Sequence, residues 1–337
     1  MTRYTKRGAH APLSLLLGLA FALSWSAEAA AFCRKRAIPP AVRKKFSGKV
    51  EKRFTDTCED DQLDEFKVYP WIYWPNACTN FSVSTTLART LSVDDASALT
   101  ALAFSQWSGA RCPGAPGDAR PSIDIRDLGQ ATCATVGYDS QGGPNQNLIV
   151  YQEKWDAVLP KGAESDADVL GLTTVSYDDT GRIVDADMRI NMQIQPAVKD
   201  PVAVETWDAR AILTHEVGHF LGFAHSGEPS AIMYYTASAG ETNKRYLADD
   251  DRQMVCGTYK PDGTRATDPT QSIAALPCDP TPANGFTQEC QAAPSKCSFT
   301  PSKNTGARAE ALCLSAFAAA VLAVARRKRS RRLHGRG

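Results

Sequence analysis

Three histidines within eleven residues constrain this chain more than any other feature of its sequence. His215 and His219 are four residues apart in a segment with helical apolar periodicity, so both imidazoles lie on one face of the predicted helix. Gly222 follows the last predicted turn, and a glycine there can take the positive φ that ends a helix and reverses the chain. The reversal brings His225 back to the same side. We therefore expect three imidazoles around one metal ion.

These residue types suit hydrolysis. Three imidazoles leave the fourth position of a tetrahedral zinc site open for water, and the ion lowers the pKa of that water toward ~7. Glu216 follows His215 directly, so it is rotated by about 100° around the helix and lies beside the ion. In this interpretation Glu216 is the general base that takes the proton of the water and delivers it to the leaving amine. The other two histidines, His10 and His334, lie in the terminal segments, so we expect one zinc ion.

The motif from His215 to His225, H-E-x-x-H-x-x-G-x-x-H, resembles the signature of the metzincin metalloproteases. Ser226 directly after the third histidine, and Met233 eight positions beyond the third histidine, are similar to the matrixin branch. The resemblance covers about residues 68–259. It implies an α+β fold, with a twisted mixed sheet and three helices around a zinc cleft, and an endopeptidase activity in which Met233 supports the metal site from below.

The same resemblance implies an edge strand that binds the substrate in extended form, which we assign to residues 185–192. Tyr235 stands two residues after Met233, where matrixins usually have proline, and the astacin branch has a tyrosine that approaches the zinc. Tyr235 is therefore either a phenolic ligand or oxyanion donor, or a wall of the specificity pocket. Asp185 and Asp187 are either ligands of a structural calcium ion or solvated turn acids.

Both ends of the chain have the composition of targeting segments. Residues 1–30 combine a basic start, an apolar run and small residues, as in a secretory signal peptide. Residues 297–337 contain a cysteine, a short apolar run at 311–325 and an arginine-rich end. This order resembles the sorting tails handled by myxosortase-type enzymes, and the alternative is an ordinary single-span anchor. Either predicts a secreted protein held at the cell surface through a short transmembrane helix.

Charge is segregated along the chain. The totals are 38 Lys+Arg and 37 Asp+Glu, but outside residues 1–29 and 326–337 the chain carries 28 basic and 36 acidic side chains. An acidic interior argues against a nucleic-acid binder, whose surface would be basic. We divide the interior into an N-terminal extension at 31–67, the peptidase domain at 68–260 and a Pro/Thr-rich linker at 261–296, and we expect a monomer.

Ten cysteines in a secreted chain predict disulfides. Two of them, Cys297 and Cys313, belong to the C-terminal tail, and the other eight allow up to four bridges in 105 connectivities. The nearest local pairs are Cys112–Cys133 and Cys278–Cys290, which we expect to form. Cys33 is also expected to be bridged, since the Pro-Arg-Cys-Gly latency context of the matrixins is absent.

Local patterns predict the remaining elements. Helices are expected over 93–108, 202–221 and 249–255, and strands over 71–74, 81–83, 123–125, 148–151, 172–177 and 186–192.

Our interpretation is a zinc metalloendopeptidase that cuts extended polypeptides. Two alternatives stay open, namely an inactive surface module that binds peptide or glycan on the same scaffold, and a metallohydrolase with a non-peptide substrate.

Overall fold

A mixed five-stranded sheet, with strand order β3-β2-β4-β6-β5, positions the rest of the fold. The computed structural model describes residues 32–46, 60, 63–86, 91–155 and 169–286. The strands are β1 (Phe32–Arg34), β2 (Cys78–Ser84), β3 (Asp124–Ala131), β4 (Leu148–Gln152), β5 (Gly171–Tyr177), β6 (Ile183–Asn191), β7 (Phe223–Ser226), β8 (Thr264–Ala266) and β9 (Ser272–Ala274). The helices are α1 (Pro40–Phe46), α2 (Asp64–Lys67), α3 (Val93–Ser108), α4 (Ala209–Phe220) and α5 (Asp249–Thr258), with a short 3-10 turn at Asn243–Arg245. This architecture confirms the predicted α+β class.

The predicted signal peptide (1–30) and the C-terminal tail with its apolar run (311–325) lie outside the described residues. Within the described ranges, we find no helix that is both long enough and apolar enough to cross a membrane.

The central strand β4 is apolar from Leu148 to Tyr151 because both of its faces are covered. Ile149 and Tyr151 belong to the main core, whereas Leu148 and Val150 belong to a second cluster on the opposite face. β4 pairs in parallel with both β2 and β6. A continuous apolar run is typical of such a doubly covered parallel strand.

Helix α3 confirms the helix predicted over 93–108. The Ser92 hydroxyl accepts a hydrogen bond from the Asp95 backbone N–H at 3.1 Å, which caps the first turn. Ala96, Phe104 and Trp107 face the core at helical spacing. The Trp107 indole Nε1–H donates to the Thr214 carbonyl at 2.8 Å and so attaches α3 to α4.

Helix α4 begins later than predicted. The sequence indicates a helix over 202–221, but the first helical residue is Ala209. The Asp208 side chain accepts from the Arg210 N–H at 3.0 Å and caps the helix there. The Ala209 N–H is meanwhile bonded to the Ala197 carbonyl at 3.0 Å, so the chain before residue 209 follows another segment instead of a helix.

The sheet has two edge strands, β3 and β5, and the one beside α4 is β5, so the assignment of residues 185–192 as the edge is wrong. β6, which contains most of those residues, lies between β4 and β5, and β5 ends the sheet. β5 and β6 are antiparallel and joined by a turn at 178–181. Asp185 and Asp187 are buried in β6, at 1% and 2% exposure, so the alternative that they are solvated turn acids is wrong.

The N-terminal extension is part of the same folded unit. β1 pairs antiparallel with β7, the strand that carries the third histidine of the motif. Ile38, Phe46 and Phe66 form a small apolar cluster of their own. Residues 71–74, predicted as a strand, make only isolated bridges, one of them between Trp71 and Arg36 of the extension.

The C-terminal segment up to residue 286 is folded back onto the sheet instead of forming a plain linker. It contains the β8–β9 hairpin, and the Ala77 N–H donates to the Leu276 carbonyl at 2.8 Å beside the start of β2. A disulfide joins Cys78 to Cys278 at this point.

Both local cysteine pairs that the sequence suggested are wrong. Cys278 is bonded to Cys78, and Cys112 is bonded to Cys256. The sheet and α5 bring together cysteines that are far apart in the chain. A prediction that pairs each cysteine with its neighbour in the sequence does not take this topology into account. Cys133 and Cys33 are also in disulfides, which for Cys33 agrees with the prediction.

These pairings predict the outcome of a disulfide map. Digestion of the unreduced protein is expected to release one linked peptide pair containing Cys78 and Cys278, and another containing Cys112 and Cys256. Mass spectrometry before and after reduction identifies them, and the reduced sample is the control. A Cys112–Cys133 peptide in the unreduced digest would contradict the structure.

Candidate metal centre

The structure brings His215, His219 and His225 together. One ring nitrogen of each lies within 4.8 Å of the corresponding atoms of the other two. His215 and His219 come from one face of α4, and His225 comes from β7. Gly222 makes the reversal with a φ of +92°, and a Cβ there would lie 2.9 Å from the Ile72 carbonyl oxygen. Only glycine satisfies both demands.

Backbone carbonyls fix the orientation of two of the rings. His215 Nδ1 lies 2.8 Å from the Ile232 carbonyl oxygen, and His219 Nδ1 lies 2.8 Å from that of Phe223. A carbonyl oxygen only accepts, so each Nδ1 carries the proton. Nε2 of each ring is therefore left with a free lone pair, as a metal ligand requires.

Burial keeps the three imidazoles neutral. It lowers the pKa of His215 to about 4 and the pKa of His225 to about 3, and the pKa of His219 lies well below its ordinary value. The charges of neighbouring histidines add to the effect of burial on His219 and His225. Neutral imidazoles at ordinary pH are the form that binds zinc, so this donor set fits the ion that the sequence predicts.

Glu216 is buried beside the histidines, at 5% exposure. Its Oε2 accepts a hydrogen bond from the Thr173 hydroxyl at 2.5 Å. Burial raises the pKa of Glu216 to about 7, and the Thr173 hydrogen bond opposes that rise. The carboxyl group is thus held against the edge strand β5.

Gly171, on the same strand, leaves room for this carboxyl group. A Cβ at position 171 would lie 2.6 Å from Glu216 Oε1 and 2.8 Å from Cδ. Real Cβ atoms do not approach that closely, so a larger residue would displace Glu216. Neither Gly171 nor Thr173 was singled out by the sequence, because their role depends on the register of β5 against α4.

Met233 lies directly under α4 and is fully buried. A Cβ on Gly218, in the middle of α4, would lie 2.1 Å from Met233 Sδ and 2.9 Å from Trp107 Cζ2. The glycine therefore allows the histidine helix to approach both side chains. The supporting role of Met233 below the metal centre stays a prediction.

Asp251 of α5 holds the backbone of the turn around Met233. Its carboxylate accepts from the N–H groups of Ile232 at 2.8 Å, Met233 at 3.1 Å and Ala248 at 2.8 Å. Burial raises the pKa of Asp251 to about 6, and these three hydrogen bonds oppose the rise. The Met233 carbonyl in turn accepts from the Ser226 N–H at 2.7 Å, which ties the turn to β7.

Tyr235 follows this turn with its ring against that of Tyr234, at a centroid distance of 4.6 Å. The Tyr234 hydroxyl donates a hydrogen bond to Tyr235, and this bond, with a smaller contribution from desolvation, raises the pKa of Tyr234. Lys244 lies over the Tyr234 ring and donates to the Thr236 carbonyl at 2.8 Å. These contacts order the loop, and the assignment of Tyr235 as ligand, oxyanion donor or pocket wall stays a prediction.

Comparison with known proteins agrees with this site. The family model for matrixin matches residues 152–260. The chain is 34% identical to neutrophil collagenase of Homo sapiens over 85 residues, which are 23% of this chain and 18% of that protein. It is 41% identical to matrilysin of Homo sapiens over 46 residues, 14% of this chain and 17% of that protein.

A plant protein gives a longer match. Metalloendoproteinase 1-MMP of Arabidopsis thaliana is 28% identical over 171 residues, 51% of this chain and 40% of that protein. The chain therefore spans less than half the length of each of these relatives. Together with the fold, these matches support a matrixin-like zinc metalloprotease.

The contact between Gly171 and Glu216 predicts the effect of a small substitution. Gly171→Ala is expected to lower kcat/KM for peptide hydrolysis by about a hundredfold, because it misplaces the Glu216 carboxylate. Metal content, measured by plasma mass spectrometry, should stay unchanged, since the histidines are untouched. Thr174→Ala, at an exposed position of the same strand, is the matched control. Equal activity of the two variants would contradict the close contact.

Proposed function

We propose that this protein is a secreted, surface-attached zinc metalloendopeptidase that hydrolyses extended polypeptides. The observation that carries the proposal is the convergence of three neutral imidazoles beside the buried carboxyl group of Glu216. The composition of residues 1–30 and 297–337 supports secretion and attachment through a sorting tail.

His215, His219 and His225 would hold the catalytic zinc ion. When bound, the ion supplies Lewis acidity that activates water and polarises the carbonyl of the scissile peptide. Glu216 accepts a proton from the attacking water on its carboxylate and passes it to the leaving amine nitrogen. Thr173 keeps Oε2 of that carboxylate in place during both transfers.

The edge strand supports a polypeptide substrate over a non-peptide one. β5 ends the sheet, and Glu216 packs against Gly171 and Thr173 of this strand. The outer N–H and C=O groups of an edge strand can pair with an extended chain. A peptide added to β5 would therefore pass next to the metal centre.

Glu216→Ala tests the mechanism apart from metal binding. We expect hydrolysis of casein and of a peptide library to fall by about 10²–10⁴-fold, because the general base is lost. Zinc should remain near one per chain, since the three histidines are unchanged. Glu205→Ala, at an exposed position before α4, is the control and should keep full activity.

Other results would support an alternative. A wild-type chain that holds zinc, cleaves no peptide and still binds peptide or glycan would support the inactive surface module. Two zinc ions per chain would overturn the single-zinc expectation.

We also propose a structural calcium ion at Asp185 and Asp187 of β6. Both carboxylate oxygens of Asp185 are buried and have no hydrogen-bond partner. Asp187 accepts from the N–H groups of Gly137 at 2.5 Å and Leu148 at 2.8 Å. Burial raises the pKa of both carboxyl groups, and the charge of Asp187 raises that of Asp185 further. A divalent cation would balance this pair, whereas the alternative is a proton.

Calcium is therefore expected to stabilise the zinc-loaded protein. At a hundred times Kd the melting temperature should rise by about 5–10 °C. Without calcium, stability should fall as pH rises above the ordinary carboxyl range, because the folded state retains protons that the unfolded state has lost. Asp185→Asn should remove the calcium response, whereas Asp179→Asn in the neighbouring turn should keep it. Wild-type melting curves that do not change with calcium would show that a proton occupies the pair.

A further inference from the structure

The pairing of β1 with β7 places Lys35 next to the metal centre. The Lys35 N–H donates to the carbonyl of Gly222 at 3.4 Å, and the Lys35 carbonyl accepts from the Ile72 N–H at 3.0 Å. Gly222 lies three residues after His219 and three before His225. The backbone of Lys35 is therefore fixed beside the turn that joins two of the three histidines.

Lys35 is the exposed member of three consecutive basic residues. Arg34 is buried and donates to the carbonyls of Ile72 and Ala266 at 3.3 and 3.2 Å. Arg36 is buried and donates to the carbonyl of Tyr69 at 2.8 Å. The two arginines hold the strand in place, and the Lys35 side chain between them reaches solvent.

Two other exposed lysines of the fold are paired with carboxylates. Lys67 and Lys199 form ion pairs with Asp64 and Asp95 at 2.9 and 3.0 Å. No carboxylate of the described residues forms such a pair with Lys35, so its charge there is available to a ligand.

The extension also contacts the strand on the other side of the site. The Tyr177 hydroxyl, at the end of the edge strand β5, donates to the Ile38 carbonyl at 3.4 Å. Residues 32–38 thus lie against both β7 and the end of β5. The extension therefore adjoins the strand to which a substrate peptide would be added.

We propose that Lys35 determines specificity, by selecting peptides with an acidic side chain within two residues of the scissile bond. The inference rests on the proposed endopeptidase function. An aspartate or glutamate at that place would gain an ion pair with an ammonium group that is otherwise unpaired in the described fold. An asparagine or glutamine of the same shape is neutral and would gain no such ion pair.

The test compares matched peptides that carry Glu or Gln at each of the four positions around the cut, with the purified full chain. Wild type is expected to prefer Glu at one position by about fivefold in kcat/KM. Lys35→Gln should abolish this preference, Lys35→Glu should reverse it and Lys35→Arg should retain it. Lys67→Gln, at an exposed lysine near the same extension, should behave as wild type. The preference should also shrink in 1 M salt, where the Debye length is ~3 Å.

The outcomes separate this inference from the function on which it rests. A wild type that cleaves the peptides without any preference for Glu, or a Lys35→Gln variant that keeps the preference, would overturn the role of Lys35 and leave the endopeptidase intact. A zinc-loaded wild type that cleaves no peptide would overturn the proposed function itself. Melting temperature and zinc content of each variant show whether it is folded, and the charge-reversal and arginine variants provide independent comparisons.

Discussion

The hydrogen bond between the His215 ring and the carbonyl of Ile232 is the contact on which the geometry of the site depends. The N–H of the same residue, Ile232, donates to the carboxylate of Asp251 in α5. One residue thus links the closing helix to a metal-binding ring, and Asp251 holds the next N–H, that of Met233, as well. The buried acid of α5 therefore sets the position of a ring on α4, although the two are 36 positions apart in the chain.

The sequence predicts those parts of the site that depend on local spacing. The positions of His215 and Glu216 follow from helical geometry, and the turn at Gly222 follows from the freedom of glycine at positive φ. The contact of Gly171 with Glu216 depends on how β5 packs against α4, which leaves no local signal. The mistaken edge strand has a similar origin, since the order of the strands depends on pairing between segments that are distant in the chain.

The division of the chain shows the same limit at a larger scale. Polar and charged composition at 31–67 and 261–296 suggested an extension and a linker. In the structure, buried arginines attach both segments to the rest of the fold. Arg34 of the first segment lies 4.4 Å from the centre of the Trp71 ring. Arg265 of the second is fully buried and donates to the carbonyl of Trp74 at 3.1 Å. Such side chains satisfy backbone carbonyls of neighbouring segments, so composition alone underestimates how much of the chain belongs to the folded unit.

The bond between Cys78 and Cys278 has a mechanical consequence. The bridge joins the first residue of β2 to a segment 200 positions further along the chain, so this segment cannot separate from the sheet while the bond is intact. Reduction of the bond would leave the segment attached there by hydrogen bonds such as the one from the Ala77 N–H to the Leu276 carbonyl.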